Sequence, residues 1–480
     1  MTQDAILERL SAALGPKGVT ADNETLAPWL TDWRGRITGS AIALVSPKNR
    51  EEVQSVVRIA GEAGVPIVPQ GGNTGMVAGG VPRPHDQAIL LSLRKMDAIR
   101  SVDPGDNSIT VEAGTILSRV HATAAEHDRR FPLSLGAKDS ATVGGLIATN
   151  AGGTQVLRFG SMRALTLGIE AVLPDGSLFE GLSTLRKDNR GYDLRQLLAG
   201  AEGTLGVITA ASLRLVPAAP HRCVAWLGLE TAPNALATLR RLEAALGDAV
   251  ESFELVPEAA LALVLQHIAD TRAPLEKAHR WNVLVELRAA SDPEGLRTRF
   301  ETALGEILST GLIADAAIAE SEAQADALWK LRETIAEAER IDGMAAKHDV
   351  SVPVSAMPDF VEDATKAVEQ RFAGARVVAF GHLGDGNVHF NVRAPAGADD
   401  KAWFAETGGA VNRFVHDLTH AAGGSLSAEH GIGQLKLAEF ARLADPARLA
   451  ALRAIKQALD PGNIMNPGKL IPLDNSAENP

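Results

Sequence analysis

Two histidines, an amide and a glutamate in the second half of the chain have the residue types and spacing of a metal site. In GHLGDGNVHFN, two apolar strands flank a Gly-Asp-Gly-Asn turn, which brings His382 at the end of the first strand near His389 on the second. His389 and Asn391 point to the same face, because side chains alternate along a strand. Glu429 and His430 follow in SLSAEHGIG, another strand-to-glycine junction that could bring a carboxylate and a third imidazole to the same place.

The alternative is that these histidines are ordinary core residues. Taken singly, each is best explained as a hydrogen-bonded residue of the interior. The His-x6-His spacing, together with Asn391 and the adjacent Glu429 and His430, favours a divalent metal site instead. Two histidines and one carboxylate leave coordination positions open for a substrate, and this ligand set accepts zinc, manganese or iron. We therefore predict a metal site, with zinc as the first candidate.

Three glycine-rich stretches in the first half of the chain have the character of an anion-binding surface. The first is PQGGNTG after the apolar strand VPIVP, the second is LGAKDSATVGGLIATNAGG, and the third is EGTLGVIT. Glycines permit positive φ angles and let successive backbone N–H groups converge on a pyrophosphate, although the first stretch alone is explained equally well by a tight turn. Neither GxGxxG in a βαβ unit nor GxxxxGK[ST] occurs, so a dinucleotide scaffold of another kind is required.

One helical segment carries a candidate carboxylate-binding arginine. In LWKLRETIAEAER, the helical spacing predicts that Trp329, Arg332 and Ala336 share one face. The planar guanidinium of Arg332 could meet a carboxylate with two hydrogen bonds, and its alternative role is a surface salt bridge with a neighbouring glutamate.

The elements that must position these residues divide the chain into three parts. Residues 1–217 alternate short strands with glycine loops and helices, which is typical of a nucleotide-binding domain. Residues 218–421 contain long helical stretches between strands such as WNVLVELRA, and we expect a separate α+β domain there. Residues 422–480 end in the helix PARLAALRAIKQALD and the stop PGNIMNPGK, and this segment is expected to pack back on the first domain.

Composition excludes several classes of function. The 480 residues are 45% hydrophobic and carry a net charge of −12 with no basic tract, which argues against nucleic acid or an anionic membrane as the main partner. The single cysteine, Cys223, excludes a disulfide framework and an iron–sulfur cluster, and a cytoplasmic protein is expected. The N-terminus predicts an amphipathic helix, no apolar run approaches the ~18 to 20 residues of a transmembrane segment, and disorder is expected only at Asn475–Pro480.

The motifs together resemble one flavoprotein family. PQGGNTG, SLGAKDSATVGGLIATNAGG, TLRKDNRGYDLRQLLAGAEGTLGVIT and LDPGNIMNPGK look like the vanillyl-alcohol-oxidase-type FAD flavoproteins, in the branch of D-2-hydroxyglutarate dehydrogenase, D-lactate dehydrogenase and the FAD subunit of glycolate oxidase. The resemblance covers nearly the whole chain in the same order. It implies an α+β fold in which a two-subdomain PCMH-type FAD-binding domain is followed by an α+β substrate domain with an antiparallel sheet and a small C-terminal helical segment.

The resemblance implies an FAD site in the glycine loops. Members that bind flavin covalently carry His or Cys in these loops, whereas this chain has Asn73 and Thr74, so non-covalent FAD is expected. The residues expected to line the cofactor are Pro69, Gln70, Gly71, Gly72, Asn73, Thr74, Gly75, Met76, Leu135, Gly136, Ser140, Thr142, Gly144, Gly145, Asn150, Gly152, Gly153, Glu202, Gly203, Gly206, Ile208 and Asn466.

The resemblance also implies roles for the metal and substrate residues. The metal ligands would be His382, His389 and Glu429, and the substrate would be held by Arg332, Lys347, Asn391 and His430. The implied reaction moves a hydride from C2 of a D-2-hydroxy acid to flavin N5, with His430 as the base. His348, beside Lys347, is a further candidate, and a strand residue facing away from the site is an equally good explanation for it.

The exact substrate stays open at this point. D-2-Hydroxyglutarate is expected first, but where the hydroxyglutarate enzymes carry a threonine one turn after the arginine this chain has Ala336, which keeps D-lactate, D-malate and glycolate as alternatives. A non-catalytic flavin-binding subunit or sensor with a structural metal is the alternative of another class. The resemblance further implies a homodimer and an electron acceptor such as electron-transfer flavoprotein, a quinone or a cytochrome.

Overall fold

The computed structural model describes residues 1–472, so the expected disorder at Asn475–Pro480 lies outside the described residues. The chain forms two compact units. The first consists of Met1–Gly152, Gly160–Pro217 and the C-terminal stretch from Glu429, and the second consists of Gly153–Phe159 and Ala218–Ala428. Within residues 1–472, no helix is both long enough and apolar enough to cross a membrane.

The helices are α1 (Gln3–Leu14), α2 (Asn23–Leu30), α3 (Arg50–Ala63), α4 (Leu117–Ala125), α5 (Val143–Ala148), α6 (Val156–Phe159), α7 (Met162–Leu165), α8 (Leu194–Leu198), α9 (Ala232–Leu246), α10 (Glu258–His267), α11 (Pro293–Ser309), α12 (Glu322–Glu333), α13 (Ile335–Asp342), α14 (Met357–Arg371), α15 (Asp400–Ala421), α16 (Leu437–Leu443) and α17 (Pro446–Leu459). A short 3₁₀ helix covers Gly247–Ala249.

The strands are β1 (Val19–Thr20), β2 (Ala41–Val45), β3 (Ile67–Gln70), β4 (Ala88–Ser92), β5 (Ile99–Asp103), β6 (Ser108–Glu112), β7 (Arg129–Arg130), β8 (Thr166–Val172), β9 (Leu178–Gly181), β10 (Val207–Arg214), β11 (Val216–Pro217), β12 (His221–Leu229), β13 (Val250–Pro257), β14 (Trp281–Ala289), β15 (Asp315–Ile318), β16 (Ala345–Ser351), β17 (Arg376–His382) and β18 (Asn387–Arg393).

The first unit contains two main sheets. One has the strand order β1-β2-β4-β3, with β2, β4 and β3 parallel, and the other is antiparallel in the order β5-β6-β10-β8-β9. Helix α3 begins where the Asn49 side chain accepts the Glu52 N–H and ends at Gly64, whose φ of 65° suits glycine. In the second sheet, the buried Glu170 receives hydrogen bonds from Arg50 and Arg100. A buried charge is tolerated there because it is paired.

The second unit is built on a seven-stranded antiparallel sheet in the order β15-β12-β14-β13-β17-β18-β16. Alternate residues of β12 enter different cores: Ala225 and Leu227 pack with α9, α11 and α14, whereas Val224 and Trp226 pack with α10, α12 and α13. Both faces of this part of the sheet are therefore covered by helices, which explains why its strands are nearly continuous apolar runs. The α+β fold with an antiparallel sheet in the second half of the chain is confirmed.

The structure departs from the expected continuous helix around Arg332. Helix α12 ends at Glu333 and α13 begins at Ile335, because Thr334 has φ −89° and ψ 2° and its hydroxyl donates to the carbonyl of Lys330 at 2.7 Å. Arg332 and Ala336 therefore belong to different helices, and the predicted shared face is wrong. Ala336 is exposed, whereas Arg332 is buried.

Candidate active site

The glycine loops of the first unit surround an open cleft. Its walls come from the ends of β3, from α5 and from the loop before β10, and the lining residues are Pro69, Gln70, Gly71, Gly72, Asn73, Thr74, Gly75, Val77, Ala78, Gly79, Gly80, Leu93, Ala141, Thr142, Gly144, Gly145, Leu146, Ala148, Thr149, Leu198, Glu202, Gly203, Gly206, Ile208 and His430.

Two of these glycines are required by close packing between loops. A Cβ added at Gly71 would lie 2.1 Å from the Thr142 hydroxyl, and one added at Gly72 would lie 2.1 Å from the carbonyl oxygen of Ser140. Neither position has space for a side chain, so the backbone of the first loop lies directly against the Thr142 side chain and the Ser140 carbonyl.

Several buried polar atoms around the cleft have no partner among residues 1–472. These atoms are Oε1 of Gln70, Oγ1 of Thr142 and Oδ1 of Asn466, although the amide nitrogen of Gln70 is used by the carbonyls of Trp29 and Gly80. Buried polar atoms in folded proteins are nearly always hydrogen-bonded. Unpaired acceptors beside a glycine-lined cleft therefore fit a ligand that carries N–H or O–H groups, such as a dinucleotide.

Asn466 is not a lining residue, but its side chain connects two walls of the cleft. Its backbone is left-handed with φ 43°, and its amide nitrogen donates to the carbonyls of Gly79 at 3.0 Å and Glu202 at 2.6 Å. The side chain is buried. Asn466 therefore fixes the spacing of the two glycine loops.

Glu202 is a structural anchor for the loop that carries His430. Its two carboxylate oxygens accept the N–H groups of Ile432 and Gly433, each at 2.7 Å, and a Cβ at Gly431 would lie 2.7 Å from the same carboxylate. Burial raises the pKa of Glu202 to about 6, against the lowering effect of the two backbone N–H groups. The expected flavin-side residue therefore also fixes the position of the expected base.

Not every residue that the sequence predicts to bind the cofactor lies in the lining of the cleft. Asn150 is occupied elsewhere, since its Oδ1 accepts the Ser161 hydroxyl at 2.8 Å and the Arg163 N–H at 2.9 Å. The predicted cofactor residues that lie outside the lining are Met76, Leu135, Gly136, Ser140, Asn150, Gly152, Gly153 and Asn466. Four further lining residues, Ala141, Leu146, Ala148 and Thr149, belong to the second glycine-rich stretch that was expected to line the cofactor. The lining residues that sequence reasoning missed are Val77, Ala78, Gly79, Gly80, Leu93 and Leu198; only Gly79 and Gly80 carried a signal, because they extend the first glycine loop.

In the second unit, the β17–β18 hairpin brings His382 and His389 together. The strands pair antiparallel with Phe380 opposite His389, and the two imidazole rings lie edge to face with centroids 5.5 Å apart. His382 is buried and His389 is partly exposed. The hairpin and the approach of the two rings agree with the geometry expected from the sequence.

A buried glutamate on the neighbouring strand orients His382. Oε1 of Glu254 lies 2.7 Å from Nδ1 of His382, and its Oε2 lies 2.9 Å from Nε and 2.8 Å from Nη2 of Arg332. Burial acts to raise the pKa of Glu254, but the charges of His382 and Arg332 outweigh it and lower the pKa below its usual value. A carboxylate on one ring nitrogen fixes the tautomer and rotation of the imidazole, which is the common arrangement behind metal-binding histidines. No local sequence pattern indicated Glu254.

The strand β16 holds the other side of the histidine pair. Asp349 lies opposite His389 in the sheet, with 4.0 Å between its Oδ1 and Nδ1 of His389, and it accepts the amide of Asn387 at 2.9 Å. The carbonyl of Asp349 also accepts the N–H of Ala428 at 3.3 Å. Glu429, the next residue along the chain, begins the C-terminal stretch of the first unit.

Lys347 and Asn391 lie opposite each other in β16 and β18, and both face the carboxylate of Glu339. The Asn391 amide donates to Oε2 of Glu339 at 2.7 Å, and Nζ of Lys347 lies 3.6 Å from the same oxygen. Burial raises the pKa of Glu339, while Lys347, Arg393 and the Asn391 hydrogen bond act in the opposite direction. Glu339 was missed because an acid in a helical segment resembles a surface residue.

His348 is part of the core. Its Nδ1 lies 2.8 Å from the carbonyl of Phe390 and its Nε2 lies 2.9 Å from Oδ1 of Asn412, and the residue is buried. Both ring nitrogens are thereby engaged within the second unit. The geometry favours the interpretation of His348 as a strand residue that faces away from the site.

Two family models match the chain. The model described as FAD linked oxidases, C-terminal domain, matches residues 218–470, and the model described as FAD binding domain matches residues 41–181. Together they cover the segments that carry the paired histidines and most of the glycine loops.

The sequence is similar to proteins named D-2-hydroxyglutarate dehydrogenase. A mitochondrial protein of that name from Bos taurus is 38% identical over 98% of this chain and 83% of its own length. A protein of that name from Xanthomonas citri is 35% identical over 100% of this chain and 99% of its own length.

Solved structures share the fold at low identity. p-Cresol methylhydroxylase superposes with a TM-score of 0.74 at 18% identity, covering 98% of each chain. Alkyldihydroxyacetonephosphate synthase superposes with a TM-score of 0.73 at 16% identity, covering 97% of this chain and 85% of the other. At these identities the likeness establishes the architecture alone.

Proposed function

This chain belongs to the FAD-linked oxidases, and from that membership we propose that it oxidises the C2 hydroxyl of a D-2-hydroxy acid to the 2-oxo acid. It is an FAD-dependent oxidoreductase, and its similarity to named dehydrogenases extends over nearly its full length. The observation that carries the proposal is the place of His430: an imidazole lies in the wall of the cleft that the glycine loops surround.

The residues around the cleft fit FAD. Gly71, Gly72 and Gly75 would hold the pyrophosphate of FAD through their backbones, and the unpaired acceptors of Gln70 and Thr142 would receive hydrogen bonds from the cofactor. When bound, FAD supplies the two-electron acceptor for the hydride that leaves C2. We propose that FAD is held non-covalently, so that acid precipitation of the protein releases it.

We assign His430 the role of base for the substrate hydroxyl. A general base must reach the proton that it removes and must keep a fixed position while doing so. The carboxylate of Glu202 serves the second need, because it holds the N–H groups of Ile432 and Gly433, two and three residues after His430. Replacing His430 with glutamine should keep the FAD absorbance and remove the substrate-dependent reduction.

A divalent metal beside the substrate is the second part of the proposal. We assign His382, His389 and Glu429 as its ligands, because two imidazoles and a carboxylate suit a divalent ion. Zinc is the first candidate, and Mn²⁺ or Fe²⁺ suits the same ligands. When bound, such an ion polarises a coordinated hydroxyl and lowers its pKa. Glu254 favours this assignment, since its hydrogen bond to Nδ1 of His382 presents Nε2 as the ligand atom.

For the substrate we propose contacts with Arg332, Lys347, Asn391 and His430. D-2-Hydroxyglutarate is the reference substrate because the similar proteins are named for it, and D-lactate, D-malate and glycolate are the alternatives. Arg332 would act on the substrate from its place beside Glu254. The electron acceptor (electron-transfer flavoprotein, a quinone or a cytochrome), the homodimer and the cytoplasmic location stay predictions; the bovine relative is named as mitochondrial.

The test is an anaerobic titration of the purified yellow protein with the D and L forms of 2-hydroxyglutarate, lactate and malate, and with glycolate. Bleaching of the flavin by a D acid and not by its L form supports the proposal. A flavin that none of these acids bleaches contradicts it and favours a non-catalytic flavin-binding subunit or sensor. The His430→Gln protein is the control for substrate-independent bleaching.

A further inference from the structure

The second unit pairs each of three cations near the histidines with its own buried or partly buried carboxylate. Arg332 pairs with Glu254 at 2.8 Å, and Lys347 lies 3.6 Å from Glu339. The third pair joins Arg393 and Asp342. These are cations that could otherwise receive an acidic group of a substrate, and in this chain each one already faces an internal negative charge.

From this arrangement we propose that Glu339 determines substrate specificity: its buried carboxylate offsets the charge of Lys347, disfavours a second carboxylate on the substrate, and directs the enzyme to 2-hydroxy acids with an uncharged side chain. The inference rests on the proposed oxidation of a 2-hydroxy acid and narrows its substrate. It also predicts a difference from the relatives that are named for D-2-hydroxyglutarate.

Glu339 lies in the interior, where the charge of Lys347 and the Asn391 hydrogen bond act against the rise of its pKa. The residue is fully buried, and one oxygen accepts the Asn391 amide at 2.7 Å while lying 3.6 Å from Nζ of Lys347. Among residues 1–472, its other oxygen, Oε1, has no hydrogen-bond partner. A carboxylate in low dielectric repels a second carboxylate strongly, since water does not screen the interaction.

Sheet register places this charge next to the candidate metal ligands. Asn391 is two residues beyond His389 on β18 and on the same face, and Lys347 lies directly opposite Asn391 on β16. A 2-hydroxy acid whose hydroxyl and C1 carboxylate lie at the two histidines can extend its side chain toward Asn391 and Lys347. A methyl group there meets no opposing charge, whereas a carboxylate there meets Glu339.

Arg393 does not offset this effect. Its guanidinium is buried, it is paired with Asp342, and its Nε and Nη1 have no hydrogen-bond partner among residues 1–472. The buried guanidinium is therefore enclosed by protein and already faces a carboxylate. A second carboxylate of a substrate would have to enter this enclosed position against the charge of Asp342.

The test compares two D acids with the same five-carbon chain, D-2-hydroxyglutarate and D-2-hydroxypentanoate, as reductants of the holoenzyme flavin. We expect wild-type kcat/KM to be at least about tenfold higher for D-2-hydroxypentanoate. Glu339→Gln should lower the KM for D-2-hydroxyglutarate at least about tenfold and change the KM for D-2-hydroxypentanoate less than about twofold. Glu337→Gln, an exposed acid on the same helix, is the matched control and should leave both values unchanged.

Three results would overturn the inference. The first is a wild-type preference for D-2-hydroxyglutarate, and the second is an unchanged ratio of the two KM values in Glu339→Gln. The third is an equal loss of affinity for both acids, which would mean that Glu339 only positions Lys347. If the variant fails to bind flavin, the wild-type comparison decides, together with product inhibition by 2-oxoglutarate and 2-oxopentanoate. Failure of the proposed function is distinguishable, because neither acid nor any other hydroxy acid would then reduce the wild-type flavin.

Discussion

The cleft of the first unit and the histidine cluster of the second are built in different ways. Around the cleft, glycines let loops approach through their backbones, and the surface consists largely of main-chain groups and small side chains. Around the histidines, long polar side chains project from paired strands and are held by buried carboxylates. The difference suits two tasks: a cofactor is recognised by shape and backbone hydrogen bonds, whereas a metal and a substrate require directed side chains.

The comparison predicts that the two regions fail separately. His389→Ala removes an imidazole of the second unit, so we expect loss of the metal with the flavin still bound. Turnover should fall about a thousandfold, because a bound metal supplies several kcal/mol of charge stabilisation. Metal analysis and flavin absorbance of the same sample provide the measurement, and His85→Ala, at an exposed position, is the control. Loss of flavin together with the metal would show that the two regions do not fail separately.

The converse change is Gly72→Ala in the first unit. The added methyl group would meet the Ser140 carbonyl at 2.1 Å, so the loop must shift and FAD should be lost while the metal stays bound. Gly305→Ala is the control, since nothing lies within 4 Å of a Cβ at that helical position. A variant with full flavin content would show that the close approach of the two loops does not shape the cofactor site.

A smaller effect is expected from Glu254→Gln. Glutamine keeps the size of the side chain but removes the charge that fixes His382 and Arg332, and loss of such a partner typically weakens metal binding about 10- to 100-fold. Competition with a chromophoric chelator measures the affinity. The control is Glu258→Gln, at an exposed acid at the start of α10, which should bind metal as the wild type does. Equal metal affinity in both variants would contradict the role assigned to Glu254.

The smallest effect concerns the pH dependence of stability at Glu202. Its pKa is raised to about 6 in the folded protein, so the carboxyl favours the folded state in its protonated form, and that contribution is lost as pH rises from about 4.5 through 6. Relative to Glu202→Gln, the wild type should lose about 2 kcal/mol of unfolding free energy between pH 4.5 and 7. Denaturant unfolding of both proteins at the two pH values measures this, and parallel curves would contradict it.

Local patterns were sufficient to predict the parts of the molecule that depend on neighbouring residues. The GHLGDGNVHFN hairpin follows from a turn signal between two apolar strands, and the structure has β17 and β18 in that arrangement. The glycine loops likewise surround a cleft, since the density of glycine leaves little alternative to close backbone approach. The fold class and the FAD-binding family followed from long motifs in a fixed order.

The buried carboxylates could not be predicted in this way. Glu254 meets His382 from 128 residues away, and Glu202 meets Ile432 from 230 residues away, so no local pattern links them. The break at Thr334 was missed for another reason. The helical periodicity continues through it, and a hydrogen bond of the threonine side chain to its own helix ends α12.

Metal-dependent oxidation of a D-2-hydroxy acid is best tested by the absorbance of the flavin under anaerobic conditions when the acid is added to metal-depleted and metal-reconstituted protein. We expect the acid to bleach the flavin of the reconstituted protein, chelation to abolish the bleaching without releasing FAD, and a divalent ion to restore it. Equal bleaching with and without metal would contradict the assignment of His382, His389 and Glu429. An oxidised flavin in every sample would contradict the proposed dehydrogenase activity itself.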